Sequence, residues 1–595
     1  MKRRHFLRCS LGTVLLLAGC NASSAPDAPR SCPVVLERSE AFSADRYALS
    51  VPEGGRAVFR LLPADGYTLT GADDPDAELV RTSEGYTLTL PQVRYATAVS
   101  VTAVRSEAHL YYNPNGGQFL SGDPAQTWTE VPVTPSHLRW NTEPDGTLFV
   151  RTGYTLTGWN TAADGSGTAV GLGSRTAPES RLYAQWAQWN PAEEFRFEPS
   201  GSGVTITEWS GSSAKLVIPA QLDGLPVTGI AAGAFAGAPC TEVIFPVSLR
   251  AVAPGAFTGS AVRQITLFDA LRDITDYAFE GCVALHTLHI NAARAPVYSG
   301  SYQSSWADKY DRLCSLTGEK KLVLFSGSSA RFGYDSEALE AAFPPYRVAN
   351  IGVFAYTNAL PLLDLTAEVL TEGDILLLSP EFDAAKRQFC TTNALDEVFF
   401  SMMEADYDTA ARLDLQRYSA VFSALGSYLK TSAAMSSRSY ALSPADFDED
   451  GNPVDTPSYN EQGDYILYRP DAADDQPIYG LGVEYTVGAF PQSYLDAANA
   501  AWTPLVRRGV QVYLTYSPRN RLAVSADTTP ESIAALDAYL RHGLEIPVIS
   551  PLAQSLLPGR YFYGTDNHLS THGVVLRTEQ VIADLHTQRK KEGRE

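Results

Sequence analysis

Two short clusters bring together the residue types that acyl chemistry requires. The apolar run Lys321-Leu322-Val323-Leu324-Phe325 ends in Ser326-Gly327-Ser328-Ser329, and much later the chain reads Asp566-Asn567-His568-Leu569-Ser570. A serine hydroxyl is a weak nucleophile until an imidazole takes its proton, and a carboxylate beside the imidazole fixes its tautomer and orientation. The tetrahedral intermediate then needs fixed hydrogen-bond donors. A third cluster, Asp446-x-Asp448-x-Asp450-Gly451, mimics the start of a calcium loop. The twelfth position of such a loop is a bidentate Glu, but here it is Pro457, so an acidic surface turn is expected instead.

The serine and histidine clusters have to be positioned by the elements around them. From about residue 299 onward, apolar strand candidates alternate with helix-like stretches. The strands are Lys321–Phe325, Val348–Ile351, Asp374–Leu378, Val510–Tyr516 and Ile546–Ile549. The helical stretches are Ser336–Ala342, Leu360–Leu370, Asp406–Lys430, Pro491–Arg507 and Glu531–His542. This alternation predicts an α/β domain with a doubly wound parallel sheet and reactive groups beyond the carboxyl ends of the strands.

Further residues belong to the same pattern: Ala330-x-Phe332-Gly333-x-Asp335, Val348-Ala349-Asn350-Ile351-Gly352, and Ser570-x-x-Gly573 followed by Arg577-Thr578. Together these pieces resemble SGNH-type hydrolases, in particular the extracytoplasmic branch related to acyl-transfer proteins of cell-surface polymers. The resemblance implies Ser328 as nucleophile, with the adjacent Ser329 as the alternative if the register shifts by one. It implies His568 as general base in preference to His572, and Gly352 with Asn350 as oxyanion donors. Three departures stand out. Gly327 replaces the family's Asp in the serine turn. Thr565 stands three before His568, so the acid would be Asp566 in a shifted register or a group from elsewhere. Ser379-Pro380-Glu381-Phe382 occupies the strand end where a Gly-x-Asn-Asp motif would sit. No cofactor and no metal ligand set is expected.

The N-terminal half is modular. Residues 32–106 alternate apolar and polar side chains in short runs, as in a small antiparallel β domain. Residues 107–190 contain Tyr112-Asn113-Pro114-Asn115-Gly116-Gly117, Gly158-Trp159-Asn160-Thr161 and Leu182-Tyr183-Ala184-Gln185-Trp186. These resemble the Listeria–Bacteroides repeat of internalin B-type surface proteins, which implies a β-grasp-like spacer with Tyr154, Trp159, Tyr183 and Trp186 in its core. Within 194–298, Ala-Phe-x-Gly recurs at Phe235, Phe257 and Phe279 with a period of 22 residues. With Leu216-Val217-Ile218-Pro219 ahead of them, these units resemble the bacterial surface-antigen type of leucine-rich repeat, a short solenoid.

At the start of the chain, Lys2, Arg3, Arg4 and Arg8 precede an apolar stretch, Leu11–Leu17, too short to span a bilayer. Leu17-Ala18-Gly19-Cys20 resembles the lipobox of bacterial lipoproteins, which implies cleavage after residue 19, lipidation of Cys20 and a membrane anchor outside the cytoplasm. Residues 20–31 would then form a tether. The chain has 595 residues and a net charge of −21; the leader holds four basic and no acidic residues, leaving −25. Such a balance excludes a nucleic-acid partner, which needs a basic footprint. Of the seven cysteines, five remain beyond Cys9 and Cys20, an odd number with irregular spacing, so neither a disulfide framework nor a zinc site follows. The expectation is a multidomain surface lipoprotein: all-β modules and a repeat solenoid carry an esterase or O-acyltransferase that acts on cell-envelope polysaccharide. The alternative is an adhesin or scaffold for a surface protein, with a degenerate α/β domain.

Overall fold

The computed structural model describes residues 31–39, 41–63, 67–82, 85–105, 108–119, 128–133, 149–177, 179–294, 296–298, 301–383, 392–435, 459–466, 468–478 and 482–594. The leader, Cys20 and the Asp446–Gly451 cluster lie outside these residues. No helix among the described residues is long and apolar enough to cross a membrane. The chain divides into two compact units, with the boundary between Val104 and Arg105.

The first unit is built from short strands whose alternation buries one face. Gly55–Pro63 pairs antiparallel with Gly85–Val93, and Ala57, Phe59, Leu61, Leu88 and Leu90 point inward. A second, three-stranded sheet of this unit is mixed, because Ser31–Leu36 runs antiparallel to Ala48–Pro52 and parallel to Thr97–Val99.

The second unit begins with a five-stranded sheet in the order Thr129–Val133, Ala108–Asn113, Arg181–Gln188, Tyr154–Asn160, Ala169–Val170. Of the four aromatics expected in its core, Trp159 is buried beside Tyr112, at 4.7 Å between rings. Tyr154 instead lies under the Arg151 guanidinium, and Tyr183 meets Trp128 edge-on.

The repeat period then becomes a stack. Lys215–Val217, Glu242–Ile244, Gln264–Phe268 and Thr287–Asn291 pair in parallel. Phe235, Phe257 and Phe279 stack at 4.7 and 5.2 Å between ring centres. The glycine ending each Ala-Phe-x-Gly motif (Gly237, Gly259, Gly281) has a φ between +64° and +75°, a conformation that glycine adopts without steric cost.

The remaining chain forms the α/β layer. In order, its elements are α1 (Ser305–Ser315), β1 (Lys320–Ser326), α2 (Ser328–Arg331), α3 (Ser336–Ala342), β2 (Tyr346–Gly352), α4 (Leu360–Val369) and β3 (Ile375–Leu378). They are followed by α5 (Glu397–Met403), α6 (Tyr407–Ala410), α7 (Val421–Ala434), α8 (Gln492–Arg507), β4 (Gln511–Leu514), α9 (Pro530–Gly543), β5 (Thr565–Leu569) and α10 (Thr571–Lys591). Strands β1 to β4 are all parallel, in the order β2-β1-β3-β4. The expected fifth strand is reduced to one bridge between Leu514 and Val548. Leu322, Leu324, Ile375 and Leu377 face α3 and α10, while Val323, Phe325, Leu376 and Leu378 face α1, α4 and α8. Burial on both faces explains why these strands read as continuous apolar runs.

One predicted helix, Asp406–Lys430, is broken into α6, a short turn capped by Asp414, and α7, because Ala420 takes a left-handed φ of 59° ahead of α7. The repeats and the α/β layer also do not keep separate cores. One buried cluster runs from Phe195 through the three stacked phenylalanines to Leu552. Phe279 packs on Phe422 of α7 at 4.4 Å, and Asp276 accepts hydrogen bonds from the Phe422 and Ser423 N–H groups that open α7.

Candidate active site

The chain order of the sheet reverses direction at β1, so the gap between the carboxyl ends of β1 and β3 is the topological switch point, where open α/β sheets bind ligands. Ser328 stands there, one residue beyond β1 and Gly327. Far along the sequence, β5 brings His568 to the same place, and His568 Nε2 lies 2.9 Å from Ser328 Oγ. Both side chains are half-buried, so a general base and an accessible hydroxyl are within proton-transfer reach. The Phe332 ring stacks on the imidazole at 4.1 Å and an interplanar angle of 24°. This fixes the ring plane and shields one face from water.

The backbone leading into His568 is held from two sides. Thr565, at the position where the resemblance places an acid, accepts hydrogen bonds on Oγ1 from the Asn567 and His568 N–H groups. It therefore orients the main chain rather than the imidazole. Arg469, buried, donates to the Leu569 carbonyl just past the histidine, and its own N–H and carbonyl pair with Thr571.

Ser328, not Ser329, meets the histidine. The Ser329 side chain is buried and shares hydrogen bonds with Ser326 at 3.0 Å and Ser517 at 2.8 Å. Both partners donate to the Ser379 carbonyl, so this cluster stitches the serine turn to the sheet. His572 is an exposed partner of Asp471.

Asp566 lies two residues before His568 on β5, and strand alternation gives residues two apart the same face. Its Oδ1 accepts from Ile478 N–H and Asn520 Nδ2. The two expected oxyanion donors sit behind the serine turn. Asn350 Oδ1 accepts from Gly352 N–H at 3.0 Å, and Asn350 Nδ2 donates to Asp464 at 2.7 Å and to the Ala330 carbonyl. Gly352 is needed for close packing, since a Cβ there would stand 2.3 Å from the Arg331 nitrogen. Asp464 also accepts from the Ser336 N–H and hydroxyl, while Lys309 donates to the Asn350 and Gly463 carbonyls. Burial raises the Asp464 carboxyl pKa; burial, followed by the Arg331 charge, lowers that of the Lys309 ammonium. This buried network seats α2 against β2.

Three residues beside the pair received no role from the sequence. Glu381, buried beyond β3, accepts from the Ser329 N–H at 2.8 Å. Asn567 Nδ2 points to the same carboxylate at 3.5 Å, and Asn567 Oδ1 accepts from Arg519 at 2.8 Å. Gly327, whose missing side chain leaves room for Glu381, is visible in the sequence, but nothing in the sequence names the group that fills that room. Among the described residues there is no cluster of His, Cys, Asp and Glu able to hold a metal ion.

Comparison with known proteins bears on the repeats. Residues 227–308 match the BspA type leucine rich repeat region, in six copies. The crystal structure of a T. pallidum leucine rich repeat protein is similar at 19% identity, covering 23% of this chain and 75% of that chain, with a TM-score of 0.13. No curated protein matches the chain significantly. The chain thus carries a leucine-rich repeat region of the BspA type, its core continuous with the layer that holds Ser328 and His568.

Proposed function

We propose that the region from residue 299 to the C-terminus is an SGNH-like serine esterase or O-acyltransferase acting on cell-envelope polysaccharide. The internalin-type and repeat modules would carry it on a bacterial surface lipoprotein anchored outside the cytoplasm through Cys20. The observation that supports the chemistry is Ser328 Oγ at 2.9 Å from His568 Nε2, at the switch point of a parallel sheet. On this reading His568 takes the Ser328 proton as Oγ attacks an ester carbonyl. The tetrahedral intermediate collapses to an acyl-serine, and His568 returns the proton to the departing sugar oxygen. Water, or the hydroxyl of a second sugar, then attacks the acyl-serine with His568 again acting as base.

A second reading, a non-catalytic adhesin, is favoured by one observation: Asn350 and Gly352, the expected oxyanion donors, bond to each other. One experiment separates the two. The full mature chain is treated with a fluorophosphonate probe and assayed for acetyl release from p-nitrophenyl acetate. Labelling at Ser328 with ester turnover supports the enzyme; neither labelling nor turnover leaves the adhesin.

A further inference from the structure

Gly327 and Glu381 complement each other across the sheet. A Cβ built on Gly327 would stand 2.6 Å from Glu381 Oε1 and 2.7 Å from the Ala355 Cβ, so glycine is what admits the carboxylate beneath the serine turn. There, one oxygen of Glu381 receives the N–H of Ser329, the residue after the candidate nucleophile. The other faces Asn567 Nδ2, on the residue before the candidate base. The Asn567 amide in turn lies between Glu381 and Arg519, accepting from the guanidinium at 2.8 Å. Arg519 itself is held by the Ala523 carbonyl at 3.0 Å.

We infer that Glu381 is a positioning residue for the Ser328–His568 pair, a carboxylate from the β3 end that ties the nucleophile's turn to the base's strand. This inference rests on the enzymatic reading above. Ser328 follows β1 and His568 belongs to β5, and these two segments do not pair with each other in the sheet. Their 2.9 Å contact therefore depends on links between their flanking residues. Glu381 supplies one through a 2.8 Å hydrogen bond from the Ser329 N–H and a longer, 3.5 Å contact from Asn567 Nδ2. A displacement of about 1 Å between reacting groups is enough to cost about a hundred-fold in rate.

The test uses the full mature chain as wild type, Glu381→Gln, Gly327→Ala and the double variant. Fluorophosphonate labelling counts competent sites, and p-nitrophenyl acetate hydrolysis gives kcat per labelled site and KM. Glu381→Gln keeps the shape and turns one of the two acceptor oxygens into an NH2 donor, which cannot receive either N–H. Gly327→Ala keeps the Glu381 side chain but displaces its carboxyl group, so it tests the same link if the first variant folds poorly. Both should lower kcat per labelled site by about ten- to a hundred-fold, with KM changed less than about two-fold. The double variant should be no worse than the more severe single one, because both changes break one link. A merely structural role would lower the number of labelled sites and leave kcat per site unchanged. Single variants with wild-type kcat per site would overturn the positioning role while leaving the enzyme reading intact. A wild-type chain that neither labels nor turns over would overturn both.

Discussion

Replacing Phe257 with alanine tests the finding that the repeats and the α/β layer share one core. Phe257 is fully buried, with Phe235 at 4.7 Å on one side, Phe279 at 5.2 Å on the other and Phe245 at 5.8 Å. Truncating a buried Phe costs about 3–5 kcal/mol, and each aromatic pair contributes about 0.5–1.5 kcal/mol beyond its buried area. With two stacked neighbours lost and little freedom for a solenoid turn to collapse, the cost should fall at the upper end, about 4–5 kcal/mol. That is a large part of the roughly 5–15 kcal/mol that stabilises a typical folded protein. Because Phe279 packs directly on Phe422, the loss should reach the α/β layer. Urea unfolding followed by hydrogen exchange would compare peptides from 242–268 with peptides from 320–352. Both sets should lose protection in one transition, and the variant should shift both equally. A shift below about 1 kcal/mol, or strand β1 staying protected while the repeats exchange, would refute the shared core.

Other outcomes follow from the same structure. Ser328→Ala and His568→Ala should each abolish ester turnover about as completely as the double variant, since the two act as a unit; clear additivity would count against the pair. Asp566→Asn should reduce turnover less than either if the acid is supplied elsewhere, and a loss equal to that of His568→Ala would assign the acid to Asp566. Glu404 is buried at the junction, where burial pushes its carboxyl up to about 7 against hydrogen bonds from the Tyr298 N–H and the Tyr428 hydroxyl. A carboxyl with a raised folded-state pKa stabilises the fold below its unfolded value of 4.5 and loses that contribution as pH rises through 7. Relative to Glu404→Gln, the wild type should therefore lose up to about 3 kcal/mol between pH 4.5 and pH 8 in urea titrations; parallel pH profiles would exclude it. Finally, Cys20→Ala should leave uncleaved precursor or shed protein, and wild-type-like membrane retention of that variant would rule out the lipid anchor.

Local pattern alone specified much of this architecture. The 22-residue step of Ala-Phe-x-Gly becomes three stacked rings, because a repeated motif buries its face only against its neighbour. The apolar runs ending at Phe325, Ile351 and Leu378 become parallel strands, because burial on both faces removes the polar alternation of a half-exposed sheet. Ser328 and His568 were each visible as residue types at element ends. What sequence could not decide was every relation between distant groups. Two adjacent serines are chemically alike, and only the course of α2 turns Ser328 to the histidine and Ser329 into the sheet. Asn350 has the chemistry of an oxyanion donor, yet the arrival of Asp464 and Gly352 beside it directs it into a buried network. A sequence pattern shows that a face is buried but not what buries it, so the junction of Phe279 with Phe422 had no local signal. Glu381 is the same case: its carboxylate gains meaning only because tertiary folding brings the β3 end beneath Gly327, a proximity no spacing along the chain encodes.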